Sequence, residues 1–293
     1  MRMRVMPNLD KVWSKGRFMG VEQFVGRTEQ HQDVVWPLLV RGLAASLDVA
    51  APPAELPPLW HWLLFQEWAP ASRVARDGHP QRGGFLPAAP ELPRRMWAGG
   101  RLKFNRALRI GDPVTRDSTI LKIVDKAGSS GRLLFVTVGH QIRDAEGVAI
   151  VEEQDIVYRE QPTGAVPVDP TAEALAGAVR EIVAINSTLL FRYSALTGNG
   201  HRIHYDHVYA TQEEGYNSLV VHGPLQATLL GNFAQRQRPG KTMTEFSFRG
   251  RRPALLDHCP LVMEGVAQAA TMMLRTVDAA GYTCTSAEAR FSA

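Results

Sequence analysis

Residues 222–236 read "HGPLQATLLGNFAQR", a stretch with a start signal and a helical period. Pro224 belongs in a first helical turn, where its missing N–H costs nothing. The apolar residues Leu225, Leu229, Leu230 and Phe233 then recur at three- and four-residue spacing. The spacing predicts a helix from about Gly223 to Arg236. Downstream lie "MTEFSFRGRR" (243–252), "CPLVMEGVAQ" (259–268), "ATMMLRTVDAAG" (270–281) and "SAEARF" (286–291), all strand-like. One apolar helix followed by a run of strands is an α+β arrangement.

The first half repeats this plan. "QDVVWPLLVRGLAASLDVA" (32–50) has Val35, Leu38, Leu39 and Leu43 at helical spacing. A long piece rich in Pro and Gly follows. Four segments rich in β-branched and aromatic residues come next: 100–108, 115–127, 132–144 and 148–160. The second half opens with "STLLFRYSAL" (187–196), which reads as a strand. Between the halves, "YREQPTGAVPVDPTAEALAG" (158–177) carries linker composition. A boundary between Pro162 and Pro170 gives two units, 1–162 and 163–293. The shared plan suggests a duplicated domain whose copies have diverged.

Composition narrows the function classes. The chain has 293 residues, 45% hydrophobic and 21% charged, with a net charge of +4. That is a globular profile. Lys and Arg are dispersed, with no basic run carrying interleaved aromatics, which disfavours a nucleic-acid partner. The modest positive excess suits an anionic small molecule. Two cysteines, Cys259 and Cys284, make no C-x-x-C pair and no disulfide framework. No apolar run is long enough to span a bilayer, and "MRMRVMPNLDKVW" lacks a signal-peptide core. The expected location is the cytoplasm.

Nine histidines occur in the chain, and four of them fall between residues 201 and 222. His201, His204 and His207 follow one another in "TGNGHRIHYDH", and His222 precedes the predicted helix. Three readings compete: an acid/base site, a metal site or a polar loop. The three-residue spacing lacks the Cys or carboxylate frame of known zinc motifs, so no metal is expected. Histidine exchanges protons near neutral pH. The helix start at Gly223 offers free N–H groups and a favourable dipole to a polarised carbonyl oxygen. The two together suit chemistry at the carbons next to a thioester carbonyl. In the bland reading, Asp206 caps the helix that follows it and His222 only packs at the helix mouth.

These residues also resemble a known family. "FRYSALTGNGHRIHYD" with "LVVHGPLQATLL" looks like the MaoC-like, or type 2 hydroxyacyl-thioester dehydratase, group, nearest its mesaconyl-C4-CoA hydratase-like branch. In the first half, "LPPLWHW", "DGHPQRGGFLP" and "PRRMWAGGRLKF" resemble that branch's FAS1-like dehydratase domain. The resemblance implies a double hot dog fold and reversible hydration of a 2-enoyl thioester. Coenzyme A enters as part of the substrate, with no separate cofactor. The family loop Gly-Asp-x-Asn-Pro-Leu/Ile-His falls on residues 198–204. It places the catalytic His on His204, the catalytic Asp on Asn199 and the carbonyl-binding Gly on Gly223.

Asn199 is a departure, because an amide is no general base. Asp206 is the candidate to replace the carboxylate or orient His204, through i, i+2 alignment in an extended segment. His222 is grouped with Gly223 at the carbonyl site. Arg192, Arg202, Arg249, Arg251 and Arg252 are candidates for cofactor phosphates or a substrate carboxylate. The first half is expected to cover the acyl tail without a second catalytic site. A non-catalytic acyl-thioester binder and an acyl-carrier-protein dehydratase are the alternatives. A homodimer is the expected assembly.

Overall fold

A computed structural model describes residues 20–128, 131–160, 171–173 and 175–292. Ten antiparallel strands form one sheet. The first half supplies β1 (Thr28–Val34), β2 (Arg94–Phe104), β3 (Pro113–Gly128), β4 (Gly131–Asp144) and β5 (Gly147–Arg159). The second supplies β6 (Val179–Val183), β7 (Met243–Gly250), β8 (Leu261–Gln268), β9 (Thr271–Val277) and β10 (Thr283–Phe291). The order is β1-β3-β4-β5-β2-β7-β10-β9-β8-β6. Read from its own edge, each half has the same order of its five strands. The halves join where β2 pairs with β7, Gly99 opposite Arg249 and Lys103 opposite Glu245. The duplication expected from the repeated plan is therefore written in the strand order.

The helices are less symmetric. Helix α1 (Pro37–Ser46) and helix α2 (Ser187–Leu196) hold equivalent places, each after the first strand of its half, and they touch. Helix α3 (Gly223–Arg236) lies across β7 to β10 and reaches β2. Its bounds are those expected from the sequence, and Leu225, Leu230 and Phe233 are fully buried.

The first half has no helix matching α3 among the described residues. In its place runs an irregular segment with a 3-10 turn at Trp60–Leu63. That turn packs on α3: the Trp60 indole N–H donates to Asn232 Oδ1 at 3.1 Å. Gly231 leaves the space that Leu59 fills. The turn also carries a buried pair, His61 Nε2 to Glu152 Oε2 at 3.1 Å, with the Trp62 indole donating to the same carboxylate at 2.9 Å. So both helices expected from the sequence are present, as α1 and α3, but they do not hold equivalent places in the two halves.

Three further corrections concern local structure. "STLLFRYSAL" is helix α2, not a strand: Asn186 Oδ1 accepts the Leu189 N–H at 2.8 Å as an N-cap. Leu189, Leu190, Tyr193 and Ser194 then bury one helical face. The first helix begins at Pro37 rather than Gln32, because residues 32–34 extend β1. Its buried face is Val40, Leu43 and Ala44, while Leu38 is exposed. The polar strand β1 and the five-residue strand β6 carry no alternation strong enough to read. The expected boundary between Pro162 and Pro170 lies outside the described residues.

Candidate active site

The histidine loop runs from the end of α2 to a 3-10 turn at Arg202–His204. The Val220 amide donates to Ile203 O at 3.0 Å, which ties this turn to the strand-like approach to α3. His204 is buried, and its Nδ1 lies 2.7 Å from Val220 O. A carbonyl only accepts, so Nδ1 carries the proton. The neutral ring then presents Nε2 as a free acceptor. Burial, offset in part by the Val220 carbonyl, lowers the His204 pKa to about 3, so this ring is neutral at physiological pH.

Four histidines form a row. His79 and His201 have ring centroids 4.6 Å apart, His201 and His204 5.6 Å, and His204 stacks on His222 at 3.6 Å. His222 is fully buried with Nε2 2.8 Å from Ser194 Oγ. Its side chain is thus packed between His204 and Ser194, and the backbone after it opens helix α3. Gly223 is the first residue of α3, and Pro224 has no N–H to compete. A Cβ on Gly223 would meet only Trp97 O, at 3.9 Å. The helix end is therefore open on that side.

Asn199 sits at the loop bend, where its Oδ1 accepts the His201 amide at 3.0 Å. Asp206 does not take the place of the missing carboxylate next to His204. Its Oδ2 pairs with Arg202 at 2.7 Å, and its Oδ1 accepts the Tyr209 amide at 3.0 Å. The extended geometry that would align residues 204 and 206 is absent, because the segment is a 3-10 turn. Asp206 is a helix cap.

The arginine candidates separate in space. Arg202 is committed to Asp206, to Arg76 O and to the face of Tyr209. Arg192 is exposed on α2. Arg249 and Arg251 both meet Ser286 of β10, one by strand register and one by a 2.9 Å hydrogen bond. Arg252 stacks on Tyr282.

The model for hydroxyacyl-thioester dehydratase type 2 matches residues 59–256. The chain belongs to the type 2 hydroxyacyl-thioester dehydratase family. Membership places it among the hydro-lyases. It is 49% identical over 243 residues to the mesaconyl-C(4)-CoA hydratase of Chloroflexus aurantiacus, covering 81% of this chain and 85% of that one. A MaoC-like dehydratase from Phytophthora capsici superposes with TM-score 0.65 at 12% identity, covering 94% of this chain and 98% of that one. A Mycobacterium tuberculosis protein with a double hotdog fold superposes with TM-score 0.54 at 13% identity, covering 91% and 95%. The α+β double hot dog expected from the sequence is the observed fold.

What the sequence reading missed in this dehydratase is the first half's share of the site. Asp77, His79 and His201 bring one ligand-type atom each within 4.8 Å of one another. Asp77 O accepts the Arg202 amide at 2.9 Å, and Asp77 Oδ1 accepts the His79 amide at 3.0 Å. "DGHP" was legible as a turn, but nothing in its spacing says that it docks on a loop more than a hundred residues away. Among the described residues no helix is long and apolar enough to cross a membrane.

Proposed function

We propose that the protein reversibly adds water to a 2-enoyl-CoA thioester, with His204 as the proton-transfer group and the Gly223 amide as the carbonyl donor. The observation that carries this reading is the His204 Nδ1 to Val220 O bond of 2.7 Å, which leaves Nε2 unprotonated beside the α3 N-terminus. Nε2 takes a proton from water as the water oxygen bonds to the β carbon. The double-bond electrons move toward the thioester oxygen, where the Gly223 N–H and the helix dipole stabilise the enolate-like charge. The proton then goes to the α carbon, and the site is restored. Asn199 holds the water through its amide N–H groups, since its Oδ1 is engaged by His201.

The acyl group best supported is a short branched dicarboxylic one such as mesaconyl-C4-CoA, on the strength of 49% identity to a mesaconyl-C(4)-CoA hydratase. In this reading residues 163–293 hold the catalytic loop and residues 1–162 cover the acyl end. The arginines near Ser286 suit the coenzyme A phosphates. The working form is a cytoplasmic homodimer.

The test is hydration of enoyl-CoA substrates, followed as loss of the conjugated-thioester absorbance. His204→Ala is expected to lose about 10²–10⁴-fold in kcat, the usual worth of a positioned proton-transfer group. Activity unchanged in that variant overturns the assignment. Parallel rates on coenzyme A and carrier-protein thioesters identify the carrier.

A further inference from the structure

We infer that Arg95, with the imidazoles of His79 and His201, forms an anion-binding corner that receives a carboxylate carried by the acyl group beside its reacting carbons. This rests on the proposed hydration of an enoyl-CoA at His204. Arg95 stands in β2, two residues before Trp97, whose carbonyl faces Gly223. Opposite Arg95 in the register is Tyr158. The Tyr158 hydroxyl donates to Pro87 O at 3.1 Å, which fixes the ring that Arg95 faces. The Arg82 guanidinium lies 5.7 Å from the centre of the Tyr158 ring and 3.9 Å from Asp77 Oδ2, so the strand position that faces Tyr158 borders the Asp77, His79 and His201 cluster. The Arg95 charge reaches both His79 and His201, and His201 is the neighbour of His204.

Charge decides which ligand suits the corner. Asp77, His79 and His201 have the donor types of a cation site. Two guanidiniums oppose that use: Arg82 lies 3.9 Å from Asp77 Oδ2, and Arg95 faces Tyr158, over whose ring Arg82 sits. Arg82 is further held by Leu92 O and Pro93 O. Arg95 has no carboxylate partner among the described residues. Both rings are neutral at physiological pH. Two positive charges against one negative leave a half-buried excess of +1, which an incoming anion neutralises. A guanidinium fork with imidazole N–H donors matches a planar carboxylate. Its place next to His204 puts that carboxylate on the acyl group, close to the carbon that water attacks. The coenzyme A phosphates lie at the far end of a long pantetheine arm.

The experiment compares kcat/KM for an enoyl-CoA bearing a carboxylate on its β carbon with the analogue bearing a methyl group there. The wild type is expected to prefer the carboxylated substrate by about 100-fold or more, the scale on which an unfilled polar site rejects an analogue. In Arg95→Gln that ratio is expected to fall at least tenfold, with partial return in Arg95→Lys. Equal rates on both substrates in the wild type overturn the inference without touching the hydratase reading. So does an equal loss on both substrates in Arg95→Gln, which marks a structural role. A matching loss of affinity for free coenzyme A assigns Arg95 to the phosphates and also overturns it. Failure of the wild type to hydrate either substrate removes the underlying hydratase reading.

Discussion

Gly78 and Gly200 meet backbone to backbone. A Cβ on Gly78 would fall within the Gly200 carbonyl, and a Cβ on Gly200 would crowd the Gly78 carbonyl. This contact docks the first half's Asp77–His79 turn on the histidine loop. Gly78 also has φ +90°, a conformation that side chains rarely adopt. Gly78→Ala is therefore expected to cost about 2 kcal/mol or more from backbone strain alone. It should lower the thermal midpoint by several degrees and reduce kcat/KM at least tenfold. Gly84→Ala is the control, because a Cβ there meets nothing within 4 Å. Equal behaviour of the two variants in thermal unfolding and steady-state assays refutes a tight contact.

In the proposed mechanism the pH dependence of the rate follows from His204. A base works only when unprotonated, and burial lowers the His204 pKa to about 3. The acid limb of kcat/KM is expected well below pH 6.5, the ordinary histidine value. Stopped-flow assays with brief exposure to acid check this while the chain is still folded. An acid limb centred near pH 6.5 would show that His204 is solvated.

Stability should respond to acid earlier than activity does. Burial lowers the pKa of His79 to about 3, His140 to about 4, and His201 and His204 to about 3, and it lowers that of His222 well below 6.5. The unfolded chain binds protons at these five positions as pH falls through about 6.5, while the folded chain binds none until near pH 4. Proton uptake by the unfolded state alone destabilises the fold. The free energy of unfolding is expected to drop from pH 7 downward, and to go on falling below pH 4 as Glu152, whose carboxyl is lowered to about 2, begins to bind a proton in the unfolded chain. Each histidine adds at most about 1.4 kcal/mol per pH unit. Urea titrations at several pH values measure the slope. His140→Gln, far from the proposed chemistry, should flatten it by about one proton.

Asp206→Ala separates capping from catalysis. Asp206 is bound to Arg202 and to the Tyr209 amide. The expected result is a small loss of stability with kcat/KM within about threefold of wild type, as for a surface cap. A loss in kcat comparable to that of His204→Ala would return Asp206 to the reaction.

Much of this was legible in the amino-acid order. Helix α3 announced itself through Pro224 and a clean helical period, and its bounds came out as read. The strands β3, β4 and β5 announced themselves through β-branched alternation and Gly-containing turns. Helix α2 did not, because ten residues with Thr, Phe and Tyr among them fit either period. The cap at Asn186, just before the segment, was the missed signal. In the site, the row from His201 to His222 was visible as a cluster, but its geometry was not. Asp206 looked aligned with His204 only on the assumption of an extended chain. His79 and Arg95 were invisible as site residues, since only the pairing of two distant halves brings them there.

The strand order relates the halves as two copies read from opposite edges, and among the described residues only one half has a helix like α3. The chain is in this sense an internal heterodimer. In the proposed mechanism the copy with α3 carries proton transfer, so its loop and helix mouth are expected to tolerate little drift. The other copy touches that machinery at a few points, among them Gly78 on Gly200 and Leu59 on Gly231. Its irregular segment is consequently the place where selection, or an engineer, changes which acyl group is accepted. Exchanging residues 74–95 between related chains is the economical route to a new substrate range.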